Sequence, residues 1–101
     1  MSLKAQLWLY PGPAGWHFLT LPSEASQAIR ATALRERWGW VPVMATIGQT
    51  TWRTSIFPNA QGRYDLPVKA YVRKREGIQA GQELEFDIEV LSGSDSARDV
   101  R

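Results

Sequence analysis

The clearest periodicity in the chain lies near its C-terminal end. From Gln82 onward apolar and acidic residues alternate without a break, with Leu84, Phe86, Ile88 and Val90 on one side and Glu83, Glu85, Asp87 and Glu89 on the other. A strand turns successive side chains to opposite faces, so this pattern predicts a β-strand with one dry face. Just upstream, Val68, Tyr71 and Val72 recur at spacings of three and four, while Lys69, Arg73 and Lys74 fall elsewhere. Proline is tolerated at a first helical position, where its missing N–H would have no intrahelical partner. Gly77 stands where a left-handed closing residue is wanted. The spacing therefore predicts a short helix from Pro67 to about Glu76, with Ile78 packing back on Val72. The competing assignment is a strand with Val68, Ala70 and Val72 inward and Lys69, Tyr71 and Arg73 outward, because short segments are ambiguous by periodicity alone.

Earlier in the chain, Ala5 to Tyr10 and Trp16 to Leu21 are apolar and aromatic, and Pro11-Gly12-Pro13-Ala14-Gly15 separates them. They read as two strands of an antiparallel hairpin. Pro22-Ser23 then offers a hydroxyl cap, and Ala25, Ala28, Ile29, Thr32 and Ala33 follow at helical spacing, which predicts a helix from about Glu24 to Arg37. Its stripe of small residues suits close packing against a sheet or a barrel mouth. Beyond it Val41, Val43, Ala45 and Ile47 alternate with Pro42, Met44 and Thr46, and Pro42 places that part of the strand at an edge or bulge. Gly48-Gln49 links this run tightly to Thr50–Phe57, in which Trp52, Thr54 and Ile56 share one face and Arg53, Ser55 and Phe57 the other. A turn over Pro58 to Gly62 leads into the short extended piece Arg63-Tyr64-Asp65.

About six short strands with short connections pair mostly antiparallel, and a small sheet removes its exposed edges by closing on itself. The expected fold is mainly β: a small closed or double-split barrel of about six strands, with one medium and one short helix. Residues 1–91 form a single domain in this reading, and the apolar-poor stretch 92–101 is expected to be a disordered tail. Met1-Ser2-Leu3 reads as an expression scar and carries no weight.

Composition narrows the class. The chain has 101 residues, no cysteine and a formal charge of +2. Disulfides and thiolate metal sites are excluded, no apolar run approaches the ~20 residues of a membrane span, and a cytoplasmic location is expected. So slight a net charge does not announce nucleic acid by itself, and local clustering matters more. Five tryptophans are many for this length. Trp16, Trp38, Trp40 and Trp52 are assigned to the core or the barrel mouth, the usual place for large aromatics.

Three stretches carry a resemblance: GPAGWHFLTLP at Gly12 to Pro22, VPVMATIGQTTWRTSIFP at Val41 to Pro58, and GRYDLPVKAYVRKREGIQAGQELEFDIEV at Gly62 to Val90. In their order and spacing they resemble the bacterial family known as domain of unknown function 1905. The resemblance implies a double-split β-barrel, a fold also used by swapped-hairpin transcription regulators and antitoxins. Related barrels exchange strands between chains, which makes a homodimer an expectation of the same kind. The segment LPVKAYVRKREGIQAGQELEFDIE is itself similar to the proline, basic helix, glycine turn and strand of those DNA-binding proteins. Gln82 departs from both patterns, since an acidic residue usually follows the glycine. In many relatives a second domain associated with bacteriocin protection follows, and here the chain ends without it. The resemblance supplies a fold and no activity.

Candidate chemistry is sparse. His17 stands alone in a strand, without a second ligand at metal spacing, and neither Ser23 nor Ser55 has a companion base, so neither an enzyme nor a metal or cofactor is expected. The acidic row Glu83, Glu85, Asp87 and Glu89 reads as the solvated face of an outer strand. Lys69, Arg73, Lys74 and Arg75, with Arg53 and Arg63 and the interleaved tyrosines, form the one constellation with a partner in view. Cations neutralise phosphates and aromatic rings stack on bases. The leading expectation is a binding module that meets nucleic acid or another anionic partner through this basic helix end. The alternatives are a barrel holding an apolar small molecule among Trp52, Thr54, Tyr64 and Tyr71, and an accessory domain for protein interaction. Solubility and helix-end charge matching account for the same cations without any partner.

Overall fold

The computed structural model describes residues 1–33 and 39–91. Six strands, β1 (Ser2–Leu9), β2 (His17–Thr20), β3 (Val41–Ile47), β4 (Thr50–Pro58), β5 (Tyr64–Pro67) and β6 (Glu83–Val90), alternate with two helices, α1 (Ser23–Ala33) and α2 (Ala70–Glu76). The strands close into an antiparallel barrel in the order β1-β2-β5-β4-β3-β6. The mainly β barrel expected from the alternation is therefore the fold. The final strand is its keystone, since β6 pairs with β1 on one side and β3 on the other.

Alternation decides what lies inside. Val41, Val43, Ala45 and Ile47 of β3, Trp52 and Ile56 of β4, and Phe86 and Ile88 of β6 are all buried, together with Leu7, Leu19, Tyr64 and Leu66. Side chains thus fill the interior, as small barrels usually require. The barrel is seamed unequally. The β3–β4 ladder runs seven residue pairs, from Val41↔Ile56 to Ile47↔Thr50, whereas β4 and β5 meet only at Phe57↔Asp65 and Pro58↔Tyr64. Toward Thr54 the two strands form no further pairs, and α2 packs against β4.

Several expectations change here. Pro67 ends β5, paired opposite Phe18, and does not start a helix. Val68 still donates its N–H to the His17 carbonyl at 2.9 Å, so the ladder with β2 runs on past the proline. Backbone groups alternate in direction along a strand, so the donor Pro67 lacks belongs on the β4 side, where that ladder has already ended. The helix begins at Ala70, with Lys69 extended before it. It is a helix and not the competing strand. Tyr71 is exposed, leaving Val72 as the buried residue of α2. Gly77 takes φ 65° as the closing residue, and Ile78 N–H bonds the Arg73 carbonyl at 3.0 Å in the expected closing motif.

Met1-Ser2-Leu3 is structural after all. Ser2 and Leu3 pair with Asp87 and Phe86, and the Met1 carbonyl accepts the Ile88 N–H at 2.9 Å. The apolar partners along β6 need an opposite strand that reaches this far, which three residues at a chain end do not reveal by periodicity. In α1, Ala28 is exposed and Ser26 fully buried in its place. The Ser26 hydroxyl donates to the Leu21 carbonyl at 3.4 Å and accepts the Tyr64 N–H at 3.2 Å, pinning the helix to β5. Ser23 lies inside α1, with the Pro22 carbonyl accepting the Ser26 N–H. Pro42 pairs opposite Ser55 in β3, which has a neighbour on either side and is not an edge strand, and its carbonyl accepts the Leu91 N–H at 2.9 Å. The expected helix end at Arg37, Trp38 and the expected tail 92–101 lie outside the described residues.

Candidate binding face around Phe57

The outward rows of β1 and β2 are aromatic. Trp8 lies opposite Phe18 in the ladder, their ring centroids 5.3 Å apart, and Tyr10 meets Phe18 edge-on at 6.2 Å. Trp16 stacks on Phe18 at 5.9 Å with an interplanar angle of 11°. The proline-glycine loop makes this geometry, since Tyr10 N–H bonds the Trp16 carbonyl at 2.8 Å and closes the hairpin. Across the seam, Phe57 at the end of β4 receives the Trp40 ring edge-on at 4.5 Å. Tyr10, Trp16, Phe18, Trp40 and Phe57 line one open groove of about 400 Å³.

Phe57 also borders two further depressions. A recess of about 340 Å³ opens where β5 departs from β4, and its walls include Trp16, His17, Thr54, Lys69 and Arg73. On the other flank, Trp40, Pro42, Arg53, Thr54, Ser55 and Phe57 line a shallow space of about 360 Å³. Five aromatic rings and three cations thus share one continuous surface. A polar strut holds its floor: Trp8 Nε1 donates to the Thr20 hydroxyl at 2.9 Å, which donates to Asp65 at 2.7 Å, and Asn59 Nδ2 donates to the same carboxylate oxygen at 3.1 Å. The opposite end of α2 is fixed as well. The Glu76 carboxylate accepts the Thr50 hydroxyl at 2.6 Å and the Gln49 N–H at 3.2 Å, so the helix holds the β3–β4 turn. A side chain at Gly48, which has φ 56°, would collide with that carboxylate.

The family comparison can now be set beside this geometry. Residues 4–88 match the family model described as domain of unknown function (DUF1905). The chain belongs to the DUF1905 family. No curated protein matches the sequence. The family's description assigns no activity, so any role of this DUF1905 barrel is argued from its own surface.

The six cations singled out by sequence separate into groups. Lys69 and Arg73 line the recess and Arg53 the neighbouring flank. Lys74 and Arg75 are exposed on α2, and the Arg75 guanidinium lies 5.9 Å from the centroid of Tyr71. Arg63 turns away to a structural contact, its Nε donating to the Leu21 carbonyl at 2.9 Å. The four ligand candidates do not converge. Trp52 and Tyr64 are interior side chains, with the Trp52 Nε1 and the Tyr64 hydroxyl buried without a hydrogen-bond partner. Burial pushes the Tyr64 hydroxyl pKa up from its ordinary value, a shift the nearby Arg30 charge opposes. Thr54 borders the recess, and Tyr71 lies on the exposed side of α2. With Trp52, Ile56 and Phe86 all buried inside, the basis for an apolar ligand within the barrel is gone.

Trp16 and Trp40 are about half and 71% exposed, so of the two places expected for them the core is excluded. The missed residues Tyr10, Trp16, Phe18, Trp40 and Phe57 did leave a signal. Trp8 and Tyr10, like Trp16 and Phe18, are spaced by two on the face opposite the aliphatic Leu7 and Leu19, an aromatic row where a solvated strand face is normally polar. Among the described residues no group of three or more His, Cys, Asp or Glu side chains could hold a metal ion, and no helix is long and apolar enough to cross a membrane.

Proposed function

We propose that this domain is a binding module for single-stranded nucleic acid, which it meets across the face centred on Phe57. The observation that supports the reading is the adjacency of exposed aromatic rings to Arg53, Lys69 and Arg73 on one surface. Unpaired bases present flat faces that stack on aromatic side chains at about 1–3 kcal/mol each, and cations along the same track neutralise phosphates. A soluble monomeric surface seldom leaves contiguous aromatic area exposed without a partner. The reading keeps the anionic partner expected from the basic helix but moves the contact surface. Lys69 and Arg73, from the N-terminal side of α2, and Arg53 of β4 contribute the cations. A cytoplasmic location goes with such a partner.

Titration with a short oligothymidylate at low salt tests this. Tryptophan emission should fall as bases cover Trp16 and Trp40. With three cations on the track, the logarithm of affinity should decline with log salt at a slope of about −2, taking about 0.7 for each phosphate neutralised on a single strand. A duplex of the same length should bind more weakly, because its bases are already stacked. Quenching that is absent at low salt, or a salt slope of zero, would overturn the proposal.

A further inference from the structure

The recess at the split of β4 and β5 differs from the aromatic groove beside it in its chemistry. Lys69 and Arg73 border it from the start of α2, Thr54 borders it from β4, and His17 forms a wall. The imidazole is fixed, because its Nδ1 lies 2.8 Å from the Gly15 carbonyl, which can only accept. Arg73 makes one long bond, from Nη1 to the Val68 carbonyl at 3.4 Å, leaving most of its guanidinium donors for another acceptor. Lys69 makes no side-chain capping bond to the helix. Among the described residues that border the recess there is no carboxylate beside the two cations. The recess adjoins the open groove, and Trp16 and Phe57 border both.

We infer that this recess receives a phosphate monoester, the terminal phosphate of a strand whose bases lie along the aromatic groove. The inference rests on the nucleic-acid reading above and adds to it a preference for phosphorylated ends. A terminal phosphate carries more charge than an internal diester and presents three oxygens, which suits an ammonium and a guanidinium bordering one cavity. An internal diester has two such oxygens and only a single negative charge.

Anisotropy titrations at one fixed low salt would compare hexathymidylates bearing a 5′-phosphate, a 3′-phosphate or hydroxyls at both ends. One phosphorylated end should bind about tenfold more tightly than the hydroxyl form, the gain expected from one or two charge-assisted hydrogen bonds at a partly solvated site. Lys69→Gln and Arg73→Gln, which alter exposed or half-exposed side chains, should each bring the affinity ratio of the phosphorylated to the hydroxyl form close to one, whatever they cost the hydroxyl form itself. Equal affinity for all three oligomers would overturn the terminal-phosphate inference and leave the binding face standing. If no oligomer binds, the binding-face reading falls, and phenyl phosphate followed by amide chemical shifts decides the recess alone. Shifts confined to residues 68–73 and 15–17 that Arg73→Gln abolishes would support it, and their absence would end it.

Discussion

Aromatic side chains occur on both sides of this barrel wall, and the two sides use them differently. Inside, Trp52, Tyr64 and Phe86 are at most 3% exposed and pack among aliphatic residues of β3, β5 and β6. Outside, Tyr10, Trp16 and Trp40 leave half or more of their surface in water while Tyr10 and Trp16 meet Phe18 and Trp40 meets Phe57. The interior rings contribute burial to folding. The exterior rings hold back most of theirs, and only a partner would release it. Two consequences separate the populations: truncating an interior ring should cost stability, and truncating an exterior ring should cost binding.

The largest effect is expected from Trp52→Ala. The change removes a fully buried indole and leaves a cavity that the closed wall cannot collapse around, a loss of about 3–5 kcal/mol. Urea unfolding of the variant should show a midpoint far below that of the parent, and a loss under about 1 kcal/mol would mean the interior is less tightly filled than described. Ser26→Ala comes next. Its hydroxyl sits between the Leu21 carbonyl and the Tyr64 N–H with no exposure to water, so alanine deprives a buried N–H of this acceptor at about 1–3 kcal/mol. Denaturant unfolding reads that cost. The salt slope of oligonucleotide binding should stay as it was, because Ser26 contributes nothing to the outer face.

Trp40→Ala sharpens the contrast from the other side. Stability should change by no more than about 0.5 kcal/mol, as for other surface substitutions, while affinity for the oligothymidylate should fall by about 1–3 kcal/mol. Calorimetric binding and thermal unfolding of the same sample test both halves. A variant that unfolds early and binds normally would place Trp40 in the core and dissolve the distinction.

Why the wall was legible and the outer face was not follows from the same geometry. Alternation in β3, β4 and β6 is local, so Val43, Ala45, Trp52, Ile56, Phe86 and Ile88 declare their inward face within a few residues. Pro67 misled because its position depends on where a non-local ladder stops, and a proline at the end of β5 looks, in sequence, like one opening a helix. The binding face required closure. Trp16, Phe57 and Lys69 are far apart in sequence and meet only because β2, β5 and β4 are consecutive strands of the barrel. The cations were found because they cluster in sequence on α2. Arg53 joins them through the fold, and Arg63 leaves them because the Leu21 carbonyl holds its Nε. The general tendency of large rings points the tryptophans to the core or the barrel mouth, and that tendency misses an aromatic row on the face that is normally polar.

The smallest effect tests the interior most finely. The Tyr64 hydroxyl is buried with no hydrogen-bond partner, so it has given up its bonds to water without replacement. Tyr64→Phe removes that unsatisfied group and little volume, and stability at neutral pH should stay within about 1 kcal/mol of the parent or rise slightly. The pH dependence carries the sign. Burial holds the folded-state pKa above tyrosine's ordinary 10.0, so above that pH the unfolded chain loses its proton before the folded one does. Fewer protons on the unfolded state mean that stability falls as pH rises, from the ordinary value through the raised one. The contribution is fully present below pH 10 and lost above it. Parent and Tyr64→Phe should therefore differ little in unfolding midpoint at pH 7 and diverge at pH 10–11, with the parent losing stability faster. Parallel curves over that interval would mean that the hydroxyl reaches water or a partner in the folded state, and Tyr64 would then belong with the exterior rings and not with Trp52 and Phe86.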